Sequence, residues 1–347
     1  MLAFILWVLA LTLPVQSTID SSCTAFTSNG AASSTFLNYR FYDFRNIYSS
    51  SSGSQSSFSG NAKTVADSSW TKDWYIRNYP RKSPGWPVIP VDFIPQRVTI
   101  TNSTDNSSDY STYLTLSSAR INEETQEGGE ITYFNISYAS LRVMGRVYGT
   151  RGACAGIFTY LNDTQESDIE MFTEDPHNYV HYSNQPSSTG APNWAPIPGA
   201  TVNVSMPGGR QWTDWHIHRL DWTPGRSVFF VDGIQTNTTT LQVPSPQPPS
   251  GFYLDMWGAN STWVGEMPVG GEAWFDIQWV EMLFNTTVDS SPPPADPKLC
   301  APNVDDTTAT TAATKPTSTT SWGVRLASMD GSSLALWSLL VILMVNY

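Results

Sequence analysis

The sequence predicts an all-β fold, a β-jelly-roll sandwich in which two sheets pack against each other. Short runs of alternating apolar and polar residues recur along the chain, whereas helical periodicity is scarce. Gly, Pro and Asn residues separate these runs, and many short strands divided in this way are typical of sandwiches and jelly rolls. We assign the strands to one domain, from Cys23 to Cys300, because the flanking segments differ in composition.

The chain begins with MLAFILWVLALTLPVQS, residues 1–17, an apolar run that ends at small residues. This layout predicts a secretory signal peptide. Eight Asn-x-Ser/Thr sequons fit a secreted glycoprotein. The sequons begin at Asn102, Asn106, Asn135, Asn162, Asn203, Asn237, Asn260 and Asn285.

Three cysteines are present, and in an oxidising compartment two of them are expected to pair. A bond between Cys23 and Cys300 would join the two ends of the domain. Cys154 lies in an apolar run, which favours a buried thiol. The sequence leaves the connectivity open.

Within the domain, the segments WHIHRLDW and AWFDIQWVEMLF are predicted strands. The segment GRSVFFVDGIQTNT predicts a hairpin that turns at Asp232 and Gly233. The segment SYASLRV is compatible with either a helix or a strand. Polar low-complexity sequence around Ser52 predicts a flexible stretch, and similar sequence around Asn106 predicts a glycosylated loop.

Residues 301–322 are rich in Ser and Thr, which predicts an extended, O-glycosylated stalk. Residues 323–347 contain a polar spacer and the apolar run Leu334–Val345. At about 12 residues this run is shorter than the roughly 20 that a membrane-spanning helix needs. The layout is typical of a GPI-attachment signal. A short C-terminal core helix is the alternative.

The charge balance indicates which partners are unfavourable. Eighteen basic and 30 acidic residues give a net charge of −12, which disfavours binding to nucleic acid. The chain is rich in aromatic residues, with 14 Trp, 15 Tyr and 15 Phe. A core can absorb some of them, but their abundance also suits a protein that stacks against sugar rings.

The segment ESDIEMF places Glu166, Asp168 and Glu170 at every second position. On a strand these acids share one face, and the residues between them, such as Ile169, point into a core. The glutamate Cα atoms are then about 13 Å apart, so the carboxyl groups can approach to about 5–6 Å, close to the spacing in retaining glycosidases. Because three close carboxylates cannot all ionise cheaply, we expect one proton to be distributed among them and held on Glu170 by its anionic neighbours. A solvated acidic strand edge and a calcium-binding patch are the alternatives.

From about Gly145 to Phe284 the order of motifs resembles glycoside hydrolase family 16, a family of β-glucanases and transglycosylases. The segment GIFTYLNDTQESDIEMF resembles the family's aromatic strand and its Glu-x-Asp-x-Glu catalytic strand. Four further segments follow in the family's order: VHYSNQP, WHIHRLDWTPGRSVFFVDG, FYLDMWGANSTWVGEM and AWFDIQWVEMLF. The resemblance implies a concanavalin A-like β-jelly-roll sandwich and requires no metal or cofactor.

By position in these motifs, Glu166 is expected to be the nucleophile, Asp168 its assistant and Glu170 the general acid/base. The residues expected to contact sugar are Tyr160, Tyr182, Asn184, Trp257 and Trp263. The histidines of the same segments are expected to be structural strand residues: His181, His216 and His218.

Two features bear on the branch of the family. Ser167 stands where the family usually has a bulky aliphatic residue, which predicts looser packing behind the nucleophile. One residue separates Asp168 from Glu170, which predicts a regular rather than a bulged catalytic strand. The regular-strand branch includes lichenases, xyloglucan-modifying enzymes and fungal chitin–glucan transglycosylases.

The expected function is that of a monomeric, GPI-anchored retaining glycoside hydrolase or transglycosylase of the fungal cell wall. Its expected substrate is β-1,3/β-1,4-linked glucan, with chitin as a further acceptor. Two alternatives are a non-catalytic glucan-binding lectin and a structural wall mannoprotein. Crowded carboxylates favour the enzyme, because binding alone does not require them.

Overall fold

The structure, a computed structural model, describes residues 22–28, 34–47, 69–83, 88–105, 110–190, 195–287 and 297–301. The predicted signal peptide, the Ser52 stretch, the stalk beyond residue 301 and the apolar tail lie outside these residues, as do residues 106–109 of the predicted loop. No helix in the described ranges is long and apolar enough to cross a bilayer.

Strands dominate the described residues, with short 3-10 helices at Ser69–Lys72, Pro95–Arg97 and Pro207–Gly209. In chain order the strands are β1 (Ala25–Thr27), β2 (Thr35–Phe36), β3 (Asn38–Asp43), β4 (Trp74–Ile76), β5 (Tyr79–Arg81), β6 (Val91–Phe93), β7 (Val98–Asn102), β8 (Thr112–Arg120), β9 (Gln126–Ile136), β10 (Ala139–Gly149), β11 (Cys154–Asn162), β12 (Gln165–Phe172), β13 (Tyr179–Asn184), β14 (Thr201–Ser205), β15 (His216–Thr223), β16 (Arg226–Val231), β17 (Ile234–Thr239), β18 (Ser250–Trp257), β19 (Glu272–Phe284) and β20 (Leu299–Cys300).

Two antiparallel layers make up the domain. The layer that contains the acidic strand, called the acid sheet below, has the order β4-β9-β18-β11-β12-β13-β14. The second sheet has the order β7-β8-β19-β10-β15-β16-β17, and β3 also pairs with β19. β9 pairs with β8 as well, which connects the two sheets at one edge. The predicted all-β jelly-roll sandwich is confirmed.

The core lies between the sheets, as the alternation predicts. Ile169 and Met171 of β12 are fully buried in one cluster with Val143 of β10 and Val280 of β19. Alternate side chains of a strand point to opposite faces, so the acids between Ile169 and Met171 point away from this core.

The predicted hairpin and strands are also present. β16 and β17 meet at Asp232 and Gly233, whose φ angles of 47° and 73° suit the left-handed turn of a two-residue hairpin. The ambiguous segment SYASLRV lies mostly in β10. β10 pairs with β15 on one side and β19 on the other, so backbone pairing in the sheet decides its conformation.

The ends of the domain are joined by a disulfide between Cys23 and Cys300, with their Cα atoms 5.9 Å apart. β1 and β20 run parallel beside it, and Phe26 of β1 packs with Leu283 of β19. Cys154 is a free, buried thiol. The structure therefore selects the pairing that the sequence left open.

Candidate active site

The three acids occupy one face of β12, called the acid face below. Across the ladder to β11, Glu166 pairs with Tyr160, Asp168 with Phe158 and Glu170 with Gly156. The register is continuous from Glu166 to Phe172, so the prediction of a regular strand is confirmed. Each acid is nearly enclosed, with exposed fractions of 2%, 5% and 7% along the strand.

The opposite face of β12 carries a polar network instead of loose packing. Ser167 Oγ donates a hydrogen bond to Ser227 Oγ of β16 at 3.2 Å. Asn184 Nδ2 donates to the same oxygen at 3.3 Å and to the Leu241 carbonyl at 2.9 Å. Hydrogen bonds between the sheets therefore occupy the space behind the nucleophile position. The prediction that Asn184 contacts sugar is wrong, because its side chain lies between the sheets.

Tyr182 also lies on the core side of the acid sheet. It pairs with Ile169, and its ring stacks on Phe229 of the second sheet at 4.3 Å between centroids. Its hydroxyl is hydrogen-bonded to Thr236 Oγ1 at 2.8 Å. The prediction that Tyr182 contacts sugar is therefore also wrong. The cause is the two-residue period of β13, which puts Tyr182 on the same side as buried Val180.

The same period turns other residues of this segment towards the acids. His181 pairs with Glu170, its Nε2 is hydrogen-bonded to Asp175, and its ring lies 4.2 Å from the Phe172 ring. Gln185 Nε2 donates to Asp168 Oδ2 at 3.3 Å. His181 is thus part of the site, and its assignment as a purely structural residue is wrong.

Glu170 has two further donors close to one carboxyl oxygen. Cys154 Sγ lies 3.6 Å and Trp263 Nε1 3.5 Å from Glu170 Oε1. The Trp263 ring also contacts the His181 ring, at 5.8 Å. Trp263 therefore lies at the acid face, as predicted, with its polar edge on the general acid/base position.

The pKa values of the acids follow from burial and from their neighbours. Burial raises the pKa of Glu170, while His181, Trp263, Cys154 and Arg81 oppose the rise. Burial followed by the charge of Asp168 raises the pKa of Glu166. Burial and then the charge of Glu170 raise the pKa of Asp168. The expectation that neighbouring carboxylates hold the proton on Glu170 is wrong, because burial is the larger cause.

Glu166 and Asp168 form a closer pair within the triplet. Their carboxyl groups are hydrogen-bonded to each other, which raises the pKa of Glu166 and lowers that of Asp168. A hydrogen bond between two carboxyl groups requires a proton on one of them. We therefore treat these two residues as a dyad that shares a proton.

A second pair of acids continues the Glu170 row across the sheet. Asp255 of β18 lies beyond Gly156, and Glu130 of β9 lies beyond Asp255. A Cβ at Gly156 would lie 2.4 Å from Asp255 Oδ1, so only glycine lets this carboxylate lean over β11. Arg77 Nε bonds Glu130 Oε1 at 3.2 Å. Burial, opposed by Arg77 and Arg81, raises the pKa of Glu130 to about 7.

Arg81 of β5 covers one predicted sugar contact. Its guanidinium carbon lies 4.3 Å from the centroid of the Trp257 ring. Trp257 is on the acid face, because it follows Asp255 by two residues, but it is only 1% exposed. Trp257 is therefore in the predicted place with its ring covered by a cation. Tyr160 is also on the acid face, and its hydroxyl donates to Asp163 Oδ1 at 3.1 Å.

A calcium patch was one alternative for the acidic triplet. Across the described ranges, no group of three or more His, Cys, Asp or Glu side chains has an arrangement that could hold a metal ion. The acids instead contact each other and the donors His181, Gln185, Cys154 and Trp263.

Known proteins with related sequences are β-glucanases and a fungal protein. The chain is 22% identical over 158 residues to a β-glucanase of Paenibacillus polymyxa, a match that covers 44% of this chain and 61% of that protein. It is 34% identical over 67 residues to Crh-like protein 2 of Aspergillus fumigatus, covering 17% of this chain and 15% of that one. The matched region thus spans less than two thirds of these relatives' lengths.

Solved structures give a similar result. The chain aligns with a Bacillus licheniformis β-glucanase at 19% identity and a TM-score of 0.46, over 60% of this chain and 91% of that one. The family model for glycosyl hydrolases family 16 matches residues 95–280, more than half of the chain, and includes all three acids. The chain belongs to glycosyl hydrolases family 16.

Proposed function

We propose that this protein is a retaining glycoside hydrolase or transglycosylase that acts on β-1,3/β-1,4-linked glucan. The observation that carries the proposal is the register of β12, which presents Glu166, Asp168 and Glu170 on one enclosed face. Family membership and the similarity to β-glucanases support the choice of substrate. Enclosure strengthens electrostatic effects on the reacting sugar.

In the first step, the Glu166 carboxylate attacks the anomeric carbon and the glycosidic C–O bond breaks. Glu170 transfers its proton to the departing oxygen, so the leaving sugar is released as an alcohol. The shared proton of the dyad stays on Asp168, which donates its hydrogen bond to the attacking carboxylate. The active form therefore carries two protons on three carboxyl groups, one more than the sequence suggested.

In the second step, Glu170, now a carboxylate, takes a proton from the incoming hydroxyl. That oxygen attacks the anomeric carbon, the ester bond to Glu166 breaks, and the original configuration is restored. Water as the incoming group gives hydrolysis, and a sugar hydroxyl gives transfer. Transfer to glucan or chitin is the outcome we favour for a protein held among acceptor sugars.

We also propose that the chain is secreted and held at the fungal cell surface by a GPI anchor. The apolar run at residues 1–17, the eight sequons and the short apolar run Leu334–Val345 support this proposal. The disulfide between Cys23 and Cys300 is consistent with an oxidising compartment. Phosphatidylinositol-specific phospholipase should release the protein from membranes, and a mature surface protein that still carries Tyr347 would contradict the anchor.

The activity is tested by incubating the soluble domain with labelled gluco- and chito-oligosaccharides and measuring product lengths. Shorter products identify a hydrolase and longer ones a transferase. Unchanged oligosaccharides that nevertheless bind would identify a lectin. Glu166→Gln should lower turnover by at least about 1,000-fold and leave binding intact, because an amide cannot act as the nucleophile.

The matched control is Glu174→Gln, a substitution of the same kind just beyond β12 at an exposed residue. It should retain full activity. Azide should restore turnover to Glu166→Ala and give a product of inverted configuration. Near-normal activity of Glu166→Gln would remove this residue from the mechanism.

A further inference from the structure

Two aromatic side chains stand exposed at the far edge of the acid sheet. Tyr75 of β4 is 60% exposed and Phe134 of β9 is 42% exposed, and their rings are in contact at 5.2 Å. Water-exposed aromatic rings in contact with each other are unfavourable unless a ligand uses them, so such patches often mark binding grooves.

Both rings lie on the acid face. Tyr75 pairs with Thr132, Thr132 with Tyr253, Tyr253 with Phe158, and Phe158 with Asp168. This register joins the exposed edge to the catalytic strand in one row across five strands. Their neighbours Trp74 and Tyr133 point into the core cluster instead.

Ring contacts connect the exposed pair to the acids without a break. Phe158 stacks on Tyr253 at 5.1 Å, Tyr160 meets Tyr253 at 5.9 Å, and Tyr253 meets Phe134 at 6.4 Å. We call these five residues the aromatic track: Phe158, Tyr160, Tyr253, Phe134 and Tyr75. Exposure rises along it, from 6% at Phe158 and Tyr160 to 60% at Tyr75.

The length of the track suits a polymer rather than a single sugar. Four steps between strands separate β12 from β4, which is about 19 Å at the usual spacing. Pyranose rings with equatorial substituents have two faces of C–H groups, which bury well against aromatic rings, while their hydroxyls stay in water. A glucan chain that lies across the strands would therefore place successive sugars over the track.

We propose that Tyr75 and Phe134 form a distal subsite that binds sugar units of a glucan chain several residues away from the bond that reacts. The inference rests on the proposed function and extends it, because it makes the protein selective for long chains. The occupant is the substrate polymer, since the patch is continuous with the catalytic face.

The test measures kcat/KM for β-gluco-oligosaccharides of increasing length with the intact domain and with Tyr75→Ala/Phe134→Ala. Short oligosaccharides that do not reach the edge should react equally well with both. For the longest oligosaccharides the variant should lose about tenfold in kcat/KM, a loss of transition-state binding. A second variant, Tyr75→Trp, should keep the preference for length because it retains a flat ring.

The control is Tyr148→Ala, which removes one ring of the Tyr148–Trp274 stack on the second sheet. It should leave the length preference unchanged. If Tyr75→Ala/Phe134→Ala keeps the full length preference, the distal subsite is wrong although the enzyme assignment stands.

Binding separates this inference from the proposed activity. Affinities of the same oligosaccharides for Glu166→Gln, with and without the two alanines, are measured by calorimetry. Affinity that rises with length only when both rings are present supports the subsite even if no turnover is found. Equal affinity with and without the rings, or no binding at any length, overturns it.

Discussion

Glu170 and His181 face each other directly across the ladder between β12 and β13, and Asp175 is hydrogen-bonded to the far side of the His181 ring. Side chains paired in this way lie close enough to interact electrostatically. The general acid/base position is thus paired with a histidine rather than with another carboxylate. This pairing determines the pH behaviour we expect.

The first prediction concerns His181→Gln. His181 lowers the pKa of Glu170, so its replacement should raise that pKa. The alkaline limb of the rate profile, where Glu170 loses its proton, should then move to higher pH. The other groups near Glu170, Cys154, Trp263 and Arg81, are unchanged by this substitution. His216→Gln, on β15 of the second sheet, is the control and should leave the profile in place.

The second prediction concerns Asp168→Asn. The charge of Asp168 raises the pKa of Glu166, so the acidic limb should move to lower pH when that charge is removed. The alkaline limb should stay in place, because burial is the main cause of the raised pKa of Glu170. Turnover should fall, since Glu166 loses its acidic partner. An alkaline limb that moves to lower pH would show that Asp168 is anionic while Glu170 titrates.

The third prediction concerns the cation over Trp257. Arg81→Met removes a positive charge that interacts with the buried carboxyl groups of Asp255 and Glu130. Leaving buried carboxylates uncompensated should cost about 3 kcal/mol of unfolding free energy, measured by urea titration. Adding Glu130→Gln should cost less than the sum of the two single changes. Strict additivity would show that Arg81 and Glu130 do not interact.

The fourth prediction concerns stability against pH. Burial raises the pKa of Asp276 to about 6 and that of Glu130 to about 7, above the values of unfolded carboxyl groups. The folded protein therefore binds more protons than the unfolded chain in this range. Stability from these groups is complete below about pH 4 and is lost as pH rises through 6 and 7. The melting temperature should be lower at pH 8 than at pH 5, and Asp276→Asn should flatten the part of the decline near pH 6.

The fifth prediction concerns the disulfide. Cys23 and Cys300 are separated by 277 residues in sequence, so their bond restricts the unfolded chain strongly. Replacing both by serine should lower the unfolding free energy by up to about 5 kcal/mol, the upper end for such bonds. Cys154→Ser, at the free thiol, is the contrasting substitution and should leave redox sensitivity of stability unchanged. Equal stability of the wild type with and without reductant would contradict the prediction.

The fold and the acidic strand were predictable because both depend on local alternation. Glu166, Asp168 and Glu170 needed only a two-residue period to be placed on one face, and the turn at Asp232 needed only its own sequence. Tyr182 and Asn184 were misplaced although the same period was available. Buried Val180 sets the core side of β13, and counting from it puts His181 on the acid face.

Other parts of the site depend on pairing between distant strands. Arg81 reaches Trp257 from β5, and Glu130 meets Asp255 because β9 lies beside β18. No local pattern around Arg81 indicates the ring it covers. Only the order of strands in the sheet brings these residues together, and a single sequence does not specify that order.

The bond between Cys23 and Cys300 also has a mechanical consequence. It brings the two ends of the domain to one point, so tension applied between the first residues of the chain and the segment after residue 301 passes through a covalent link. The ladders of the two sheets do not carry that load, and the strands cannot unzip from either end while the bond is intact. A domain connected in this way can be pulled by its stalk without losing the register that aligns its acids.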